Sequence, residues 1–493
     1  MRNYIIGRVV RSFISIIAVV AIVIVLVYQL VPMDSIFQSD TNLQKFGSKP
    51  DEMINYKYTK WDNVGYLDYM PQAEACKISD DYSECLVANS EQSSTVIEQL
   101  ENDGYQVEYL STGKFYAFHR YSSFELITNF YKNLIWFDGP NHVQDATNPD
   151  LERYVKFASG PNGMPAIKCS GCEHEYLFYI NSSFPFIHSN WMNFRFGISY
   201  PTFNGIDSLK VISSGQGELK KTETVFPTGY TSNSAANLYS CLYKPSEILD
   251  RIDNKKFDSN YANCDNNYTS PSMIGISYLF GILGIILSYL IAIPAGIQMA
   301  QHKGKWQDKL GMVYINFMIS VPSLAFIYLM KLFGGGLGLP DKFPQFGFSD
   351  YRSYILPVLI LGLLSTSSLM IWMRRYMVDQ SNSDYVKFAR AKGLKQSEIF
   401  NKHILKNAVI PIVNGIPSSI ILAIGGAVIT ETVFAIPGMG KMLPDSIKAY
   451  NNTMVVTLTF IFTALSVFAL LIGDLLITVV DPRIKLSTKG DSR

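Results

Sequence analysis

Uninterrupted apolar runs open the chain and crowd its C-terminal part, and a long polar stretch of mixed periodicity separates them. A helix crosses the hydrocarbon core with roughly 20 apolar residues. Six segments meet that length: 13–31, 273–297, 310–330, 354–373, 408–429 and 454–480. Only the last contains a charge, Asp474. Pro294, Pro322, Pro357, Pro411 and Pro417 fall inside these runs. Neighbouring helices in a bundle can re-satisfy the backbone groups such prolines free. The first run follows Arg2, Arg8 and Arg11, as a signal peptide would. Its length and the missing small-x-small cleavage pattern before Pro32 favour a retained anchor.

The polar stretch, 33–270, is long enough to bury its own core and predicts a mixed α/β domain. Segments 105–110, 115–121, 209–213 and 223–226 have strand patterning, and 94–102 alternates as an amphipathic helix. Gly160-Pro161-Asn162-Gly163 is a turn signal. The chain thus divides into 1–32 (N-terminal segment and first span), 33–270, a five-helix core at 271–483 with a polar loop at 374–407, and a tail at 484–493.

Charge gives these pieces an orientation. The chain's formal charge is +1, but 33–270 sums to −11 and the remainder to +12. The near-zero total argues against a nucleic-acid binder. With the N-terminus inside, the inner segments hold 18 Lys and Arg and the two short outer loops hold five. Basic residues in short loops mark the cytoplasmic side, so both termini are expected in the cytoplasm of a plasma-membrane protein and 33–270 outside. All six cysteines lie in that domain, on the oxidising side where disulfides persist. The shortest-range pairing, Cys76–Cys85, Cys169–Cys172 and Cys241–Cys264, is the expectation among several connectivities. Cys169-Ser-Gly-Cys172 also admits redox and zinc readings, but no second CxxC supports a zinc site. No metal site is expected.

The loop between the fourth and fifth spans carries the most information. Ser381 and Asp384 suggest a capping box. Tyr385, Phe388 and Ala389 fall on one helical face, with Lys387, Arg390 and Lys392 largely away from it. Gly393 stands where a left-handed residue ends a helix, and Leu394 could fold back as in a Schellman stop. The expectation is a helix of about three turns on the membrane surface, with a second helix starting near Ser397 and climbing into the fifth span. Such an element can dock in a groove of a cytoplasmic partner; a solvated basic loop is the plainer alternative.

Three motifs carry a resemblance: Asp384-Tyr-Val-Lys-Phe-Ala-Arg-Ala-Lys-Gly-Leu394, followed by Pro411; Gly425-Gly-Ala-Val-Ile-Thr-Glu-Thr-Val-Phe-Ala-Ile-Pro-Gly-Met-Gly440; and Asp481-Pro-Arg-Ile-Lys485. Together they resemble the permease subunit of an ABC importer, of the B type in the dipeptide/oligopeptide/nickel permease family. The resemblance covers the first span and everything after about residue 271. The long insertion departs from the shorter Gram-negative pattern and is similar to the AmiC-like form of Gram-positive cocci.

The resemblance implies six transmembrane helices in the type I ABC importer permease fold, and import of oligopeptides. It implies that 384–394 is the coupling helix, with Asp384, Tyr385, Phe388, Ala389, Arg390, Lys392, Gly393 and Leu394 facing an ATPase subunit. Lys387 stands where some subfamilies have Glu. It also implies two ATP-binding subunits, a second homologous permease and a lipid-anchored extracellular peptide-binding protein. Phe434, Pro437, Gly438 and Met439 would help form an external gate.

The residues agree with a passive subunit. No Gly-x4-Gly-Lys-Ser/Thr phosphate loop occurs in the sequence, so ATP and Mg are expected in partner subunits and no cofactor or catalytic residue in this chain. Glu431 and Asp474 lie near membrane interfaces, where structural hydrogen bonding is favoured over a functional charge. Gly425-Gly426 suit close helix packing, and Gly334-Gly-Gly-Leu-Gly338 suits a flexible loop. A membrane-anchored receptor or channel with 33–270 as ligand sensor, and a surface enzyme, are the competing readings. The first calls for an output domain or a charged pore and the second for a catalytic constellation.

Overall fold

The computed structural model describes residues 2–87, 90–182, 186–426 and 428–480. The chain divides into two compact units: Pro32–Ser272, and the segments on either side of it.

The membrane unit is built on two long helices, Met273–Gln301 and Arg352–Ser381. Glycines let them approach closely. A Cβ added to Gly284 would lie 2.9 Å from the Leu361 Cβ, and one added to Gly296 would lie 2.7 Å from the Met373 Cβ. Small residues at such crossings are what allows tight packing in a lipid environment, where apolar burial alone does not drive association. The partner positions advance together along both helices, so the two run in the same direction. The chain between them must therefore return across the layer.

That return is not one straight helix, as the apolar run 310–330 predicts. It is broken into Trp306–Ser320 and Ser323–Gly336, bent by 106°. Pro322 is the cause: the residue before a proline is driven out of the helical region, and Val321 is extended at φ −80°, ψ 126°. Ser323–Gly336 also runs through Gly334, Gly335 and Gly336, which a flexible loop would have claimed. Gly334 is held against Leu356. The fifth apolar run is likewise bent, by 40° between Gln396–Ala408 and Ile410–Ala423, next to Pro411. Among the described residues, four helices are long and apolar enough to cross a membrane, or six if each bent pair counts as one span. The first is longer than its apolar run: Arg2–Val25 continues as one π-helical turn, Leu26–Leu30. The last is Asn452–Val480. The Asp474 side chain and the 481–485 motif lie outside the described residues, as do the side-chain surroundings of 425–426.

The inserted unit is mixed α/β. Leu67–Pro71, Phe115–Arg120 and Gln106–Tyr109 form an antiparallel sheet with Phe115–Arg120 central. Glu91–Asn102 packs on it through Val96 and Leu100, against Phe115 and Ala117. A four-stranded antiparallel sheet, Tyr154–Ser159, Pro165–Ser170, Tyr176–Ile180 and Ile187–Ser189, follows in chain order. Segment 209–213 is not a strand but lies in the helix Ser208–Ser213. The reason is local: the Asp207 carboxylate accepts from the backbone N–H of Leu209 and Lys210, and caps the turn. Disulfides join Cys76–Cys85, Cys169–Cys172 and Cys241–Cys264. Cys76 and Cys85 lie inside the first sheet's core.

Candidate functional site

The loop after Arg352–Ser381 folds as a short helix, Asp384–Ala391, of eight residues. It is shorter than the three turns expected, and the capping box is absent. Ser383, not Ser381, holds the N-cap position, and no side chain caps it. The Ser381 hydroxyl instead donates to the Met377 carbonyl at 2.7 Å, within the preceding helix. The C-terminal stop is the Schellman geometry. Leu394 N–H donates to Ala389 O and Gly393 N–H to Arg390 O, with Gly393 at φ +76°.

This helix rests on a dry base. Val386 and Ala389 are buried among Met373, Met377, Ile399, Phe400 and Ile404, with Tyr385 and Leu394 packed at the edge. The Tyr385 hydroxyl donates to Gln380 Oε1 at 2.6 Å. The following segment, Gln396–Glu398 then the π-helical Ile399–Leu405, supplies the other half of the base. The buried face is therefore Val386 and Ala389. Phe388, grouped with Ala389 by spacing, points the other way and is 71% exposed. The residue missed was Val386: its spacing to Ala389 is as good as Tyr385's, but its smaller side chain is the weaker signal.

The charges divide as well. Lys387 pairs with Asp384 and Lys402 with Glu398, both at 2.8 Å. The Lys387 hydrogen bond holds the Asp384 carboxyl below the usual range. Among the described residues no acid pairs with Arg390, Lys392 or Lys395, and all three are exposed. Phe388 therefore stands as an apolar knob within a positive surface. Close by, Arg374 grips Asp308 with two parallel bonds, Nε to Oδ1 at 2.6 Å and Nη2 to Oδ2 at 2.9 Å. Gly304 N–H also donates to that carboxylate. This clamp ties Trp306–Ser320 to Arg352–Ser381, and charge spacing alone did not single it out.

At the opposite end of the bundle, Val428–Phe434 and Met439–Lys448 form a turn around Glu431. Its carboxyl is fully buried and accepts from the Ser277 hydroxyl at 2.7 Å and from Lys441 N–H at 2.8 Å. Ser277 Oγ in turn accepts from Met439 N–H. A Cβ on Gly438 or Gly440 would come within 2.5 or 2.8 Å of the carboxyl group, so a side chain at either position would push the carboxyl off its donors. Of the four candidate gate residues, Phe434, Gly438 and Met439 are buried in this turn and Pro437 is half-buried. Phe434 packs with Ile276, Phe280, Leu356 and Ile360. Among the described residues no cluster of His, Cys, Asp and Glu is arranged to hold a metal ion.

Comparison with known proteins covers both halves of this geometry. Residues 292–486 match the family described as binding-protein-dependent transport system inner membrane component. The chain is 44% identical to the oligopeptide transport system permease protein AmiC of Streptococcus pneumoniae, over 99% of this chain and all of that one. It is 31% identical to the dipeptide transport system permease protein DppB of Lactococcus lactis, over 43% of this chain and 69% of that one. It is 32% identical to the glutathione transport system permease protein GsiC of Salmonella typhimurium, over 41% and 66%. The full-length match includes the inserted unit, whereas the two shorter ones span less than half of the chain. The chain belongs to the ABC oligopeptide permease family of binding-protein-dependent transport systems, as a multi-pass, non-catalytic membrane subunit.

Proposed function

We propose that this chain is one transmembrane half of an ATP-driven oligopeptide importer and takes its power stroke through Phe388. The supporting observation is the exposed phenylalanine on a helix whose other face is locked into the bundle. Two ATPase subunits bind ATP and Mg; one of them receives Phe388 in an apolar pocket with an acidic rim that faces Arg390, Lys392 and Lys395. A second homologous permease completes the translocation path. The termini and the 384–391 helix lie in the cytoplasm, and Pro32–Ser272 lies outside, where it docks a lipid-anchored peptide-binding protein.

An exposed aromatic knob on a rigid base suits helix-in-groove recognition, and large aromatic anchors carry a disproportionate share of interface energy. The test is purification of the assembled transporter with Phe388→Asp or Phe388→Leu. Phe388→Asp is expected to lose the ATPase subunits and peptide uptake, and Phe388→Leu to keep much of both. Retention of ATPase and uptake by Phe388→Asp overturns the assignment. The docking role is tested separately by replacing residues 40–268 with a short linker: undiminished association with the binding protein rules it out.

A further inference from the structure

Midway along the membrane unit the helices Met273–Gln301, Arg352–Ser381 and Ile410–Gly426 enclose an open cavity of about 400 Å³. Its wall carries four serines, Ser288, Ser365, Ser368 and Ser419, with Tyr289 and Trp372 also on the wall. Each serine lies near the middle of its helix, at the depth where a polar group finds no water in lipid. Polar groups at that depth face the bundle interior or a cavity. Ser365, Ser368 and Trp372 follow one another at i, i+3 and i+7, on one face of their helix.

Ser288 lies at the floor of this wall, one turn from Gly284, where the seam with Arg352–Ser381 meets the cavity. The residue lines the cavity but is fully buried, and its hydroxyl has no hydrogen-bond partner. A buried hydroxyl without a partner is costly, and a polar group in the cavity is one it could turn to meet. Ser365 and Ser419 donate to their own helices, at Leu361 O and Gly415 O. Their oxygens still have lone pairs to accept an N–H.

We infer that this cavity is a binding station for the main chain of a peptide in transit, an assignment that rests on the importer reading above. A hydroxyl both donates and accepts, so one serine can meet either the C=O or the N–H of a passing strand. Ser365 and Ser368 are about 4.5 Å apart along their helix axis. An extended peptide repeats at about 3.4 Å per residue. The two spacings do not match, so only part of the set pairs at any register. The station then holds the backbone weakly, is indifferent to side-chain identity, and permits sliding. Tyr289 and Trp372 give side chains an apolar surface with no fixed geometry.

Cysteine accessibility tests this with no free thiol native to this chain, because all six of its cysteines are paired in the inserted unit. S368C, S365C and S349C are placed singly in the whole transporter in proteoliposomes. Ser349 is exposed, in the polar loop before Arg352–Ser381, and not part of the cavity wall. A water-soluble methanethiosulfonate reports the modification rate, with and without a pool of tetra- to hexapeptides on both faces. At five times the peptide concentration that half-protects position 368, one site left free one-sixth of the time predicts about sixfold slowing at 365 and 368. S349C is expected to show none. Three results overturn the station: no reaction at 365 and 368, as when a partner helix or lipid fills the wall; an unchanged rate with peptide; or equal protection at 349. Failure of the wild type to import the pool strikes the importer reading instead, so the two failures are separable.

Discussion

Replacing Glu431 should cost stability in an order set by its hydrogen bonds. The carboxyl accepts from Ser277 Oγ and Lys441 N–H in a fully buried setting. Glu431→Leu removes both acceptors and leaves an O–H and an N–H buried without partners. At about 1–3 kcal/mol for each of the two stranded donors, the loss is about 2–6 kcal/mol. Glu431→Gln keeps one carbonyl oxygen, so one donor stays paired; if its NH2 turns toward Ser277, that hydroxyl still accepts from it and from Met439 N–H. The Ser277 O–H is then the one donor left without an acceptor, about 1–2 kcal/mol. Ser277→Ala should fall between, since it strands Met439 N–H and one carboxyl lone pair. Gly440→Ala drives a methyl to 2.8 Å from Oε2 and 3.2 Å from the Val428 Cα, so it pushes the carboxyl off its donors. The assay is the apparent melting temperature of the purified transporter in nanodiscs. Glu431→Leu should melt several degrees below Glu431→Gln. Equal melting of the two, or Glu431→Leu melting with the wild type, would refute the role assigned to these bonds.

Other outcomes follow from the same geometry. Arg374→Lys loses the planar fork on Asp308 and should cost about 1–2 kcal/mol, read as the same melting shift, with Asp308→Asn of similar size. Glu125 is held down at about 2, chiefly by the Ser122 backbone N–H and then by the Ser122 side chain and His119. A depressed carboxyl contributes stability above its ordinary value near 4.3 that is lost as pH falls through 2. His119 is shifted up, through the Gly104 carbonyl first and Glu125 as well. Its contribution is full below about 6.5 and lost as pH rises through the folded value. Amide exchange across residues 122–134 should therefore be slowest between about pH 4.5 and 6.5 after correction for intrinsic rates, and Glu125→Gln should flatten that minimum. Removing Cys241–Cys264, which closes 23 residues, should cost roughly 2 kcal/mol more than removing Cys169–Cys172, which closes three. Denaturant titration of the full chain compares the two.

Among the described residues the apolar runs fall on the four long apolar helices and on the two bent pairs, but do not show the breaks. Hydropathy counts residues, and the 106° bend at Val321-Pro322 depends on which neighbours can satisfy the freed backbone. In the loop, Gly393 was legible because a left-handed stop needs a residue without Cβ. The direction of Phe388 was not, because an eight-residue helix leaves two apolar faces to choose from, and the base made by Met377 and Ile404 chose Val386. Segment 209–213 has strand composition, and one upstream aspartate outweighed it. The serine wall escaped notice for a different reason. Ser288, Ser365 and Ser419 lie on three helices far apart in sequence, and only packing brings them to one cavity.

These placements link the two ends of the molecule's action. Val386 and Ala389 share one core with Met373 and Met377 of Arg352–Ser381 and with Ile404, Ala408 and Ile412 of the segment leading into Ile410–Gly426. A displacement of the short helix therefore cannot be absorbed locally, because close-packed cores respond as rigid pieces. It passes to the two helices that carry Ser365, Ser368 and Ser419. Met273–Gln301, which carries Ser288, packs closely on both, on Arg352–Ser381 at Gly284 and Gly296 and on Ile410–Gly426 at Gly281 against Ala423. On the proposed role of Phe388, its motion would reach the cavity through these contacts, and the width of the station is the quantity it would change.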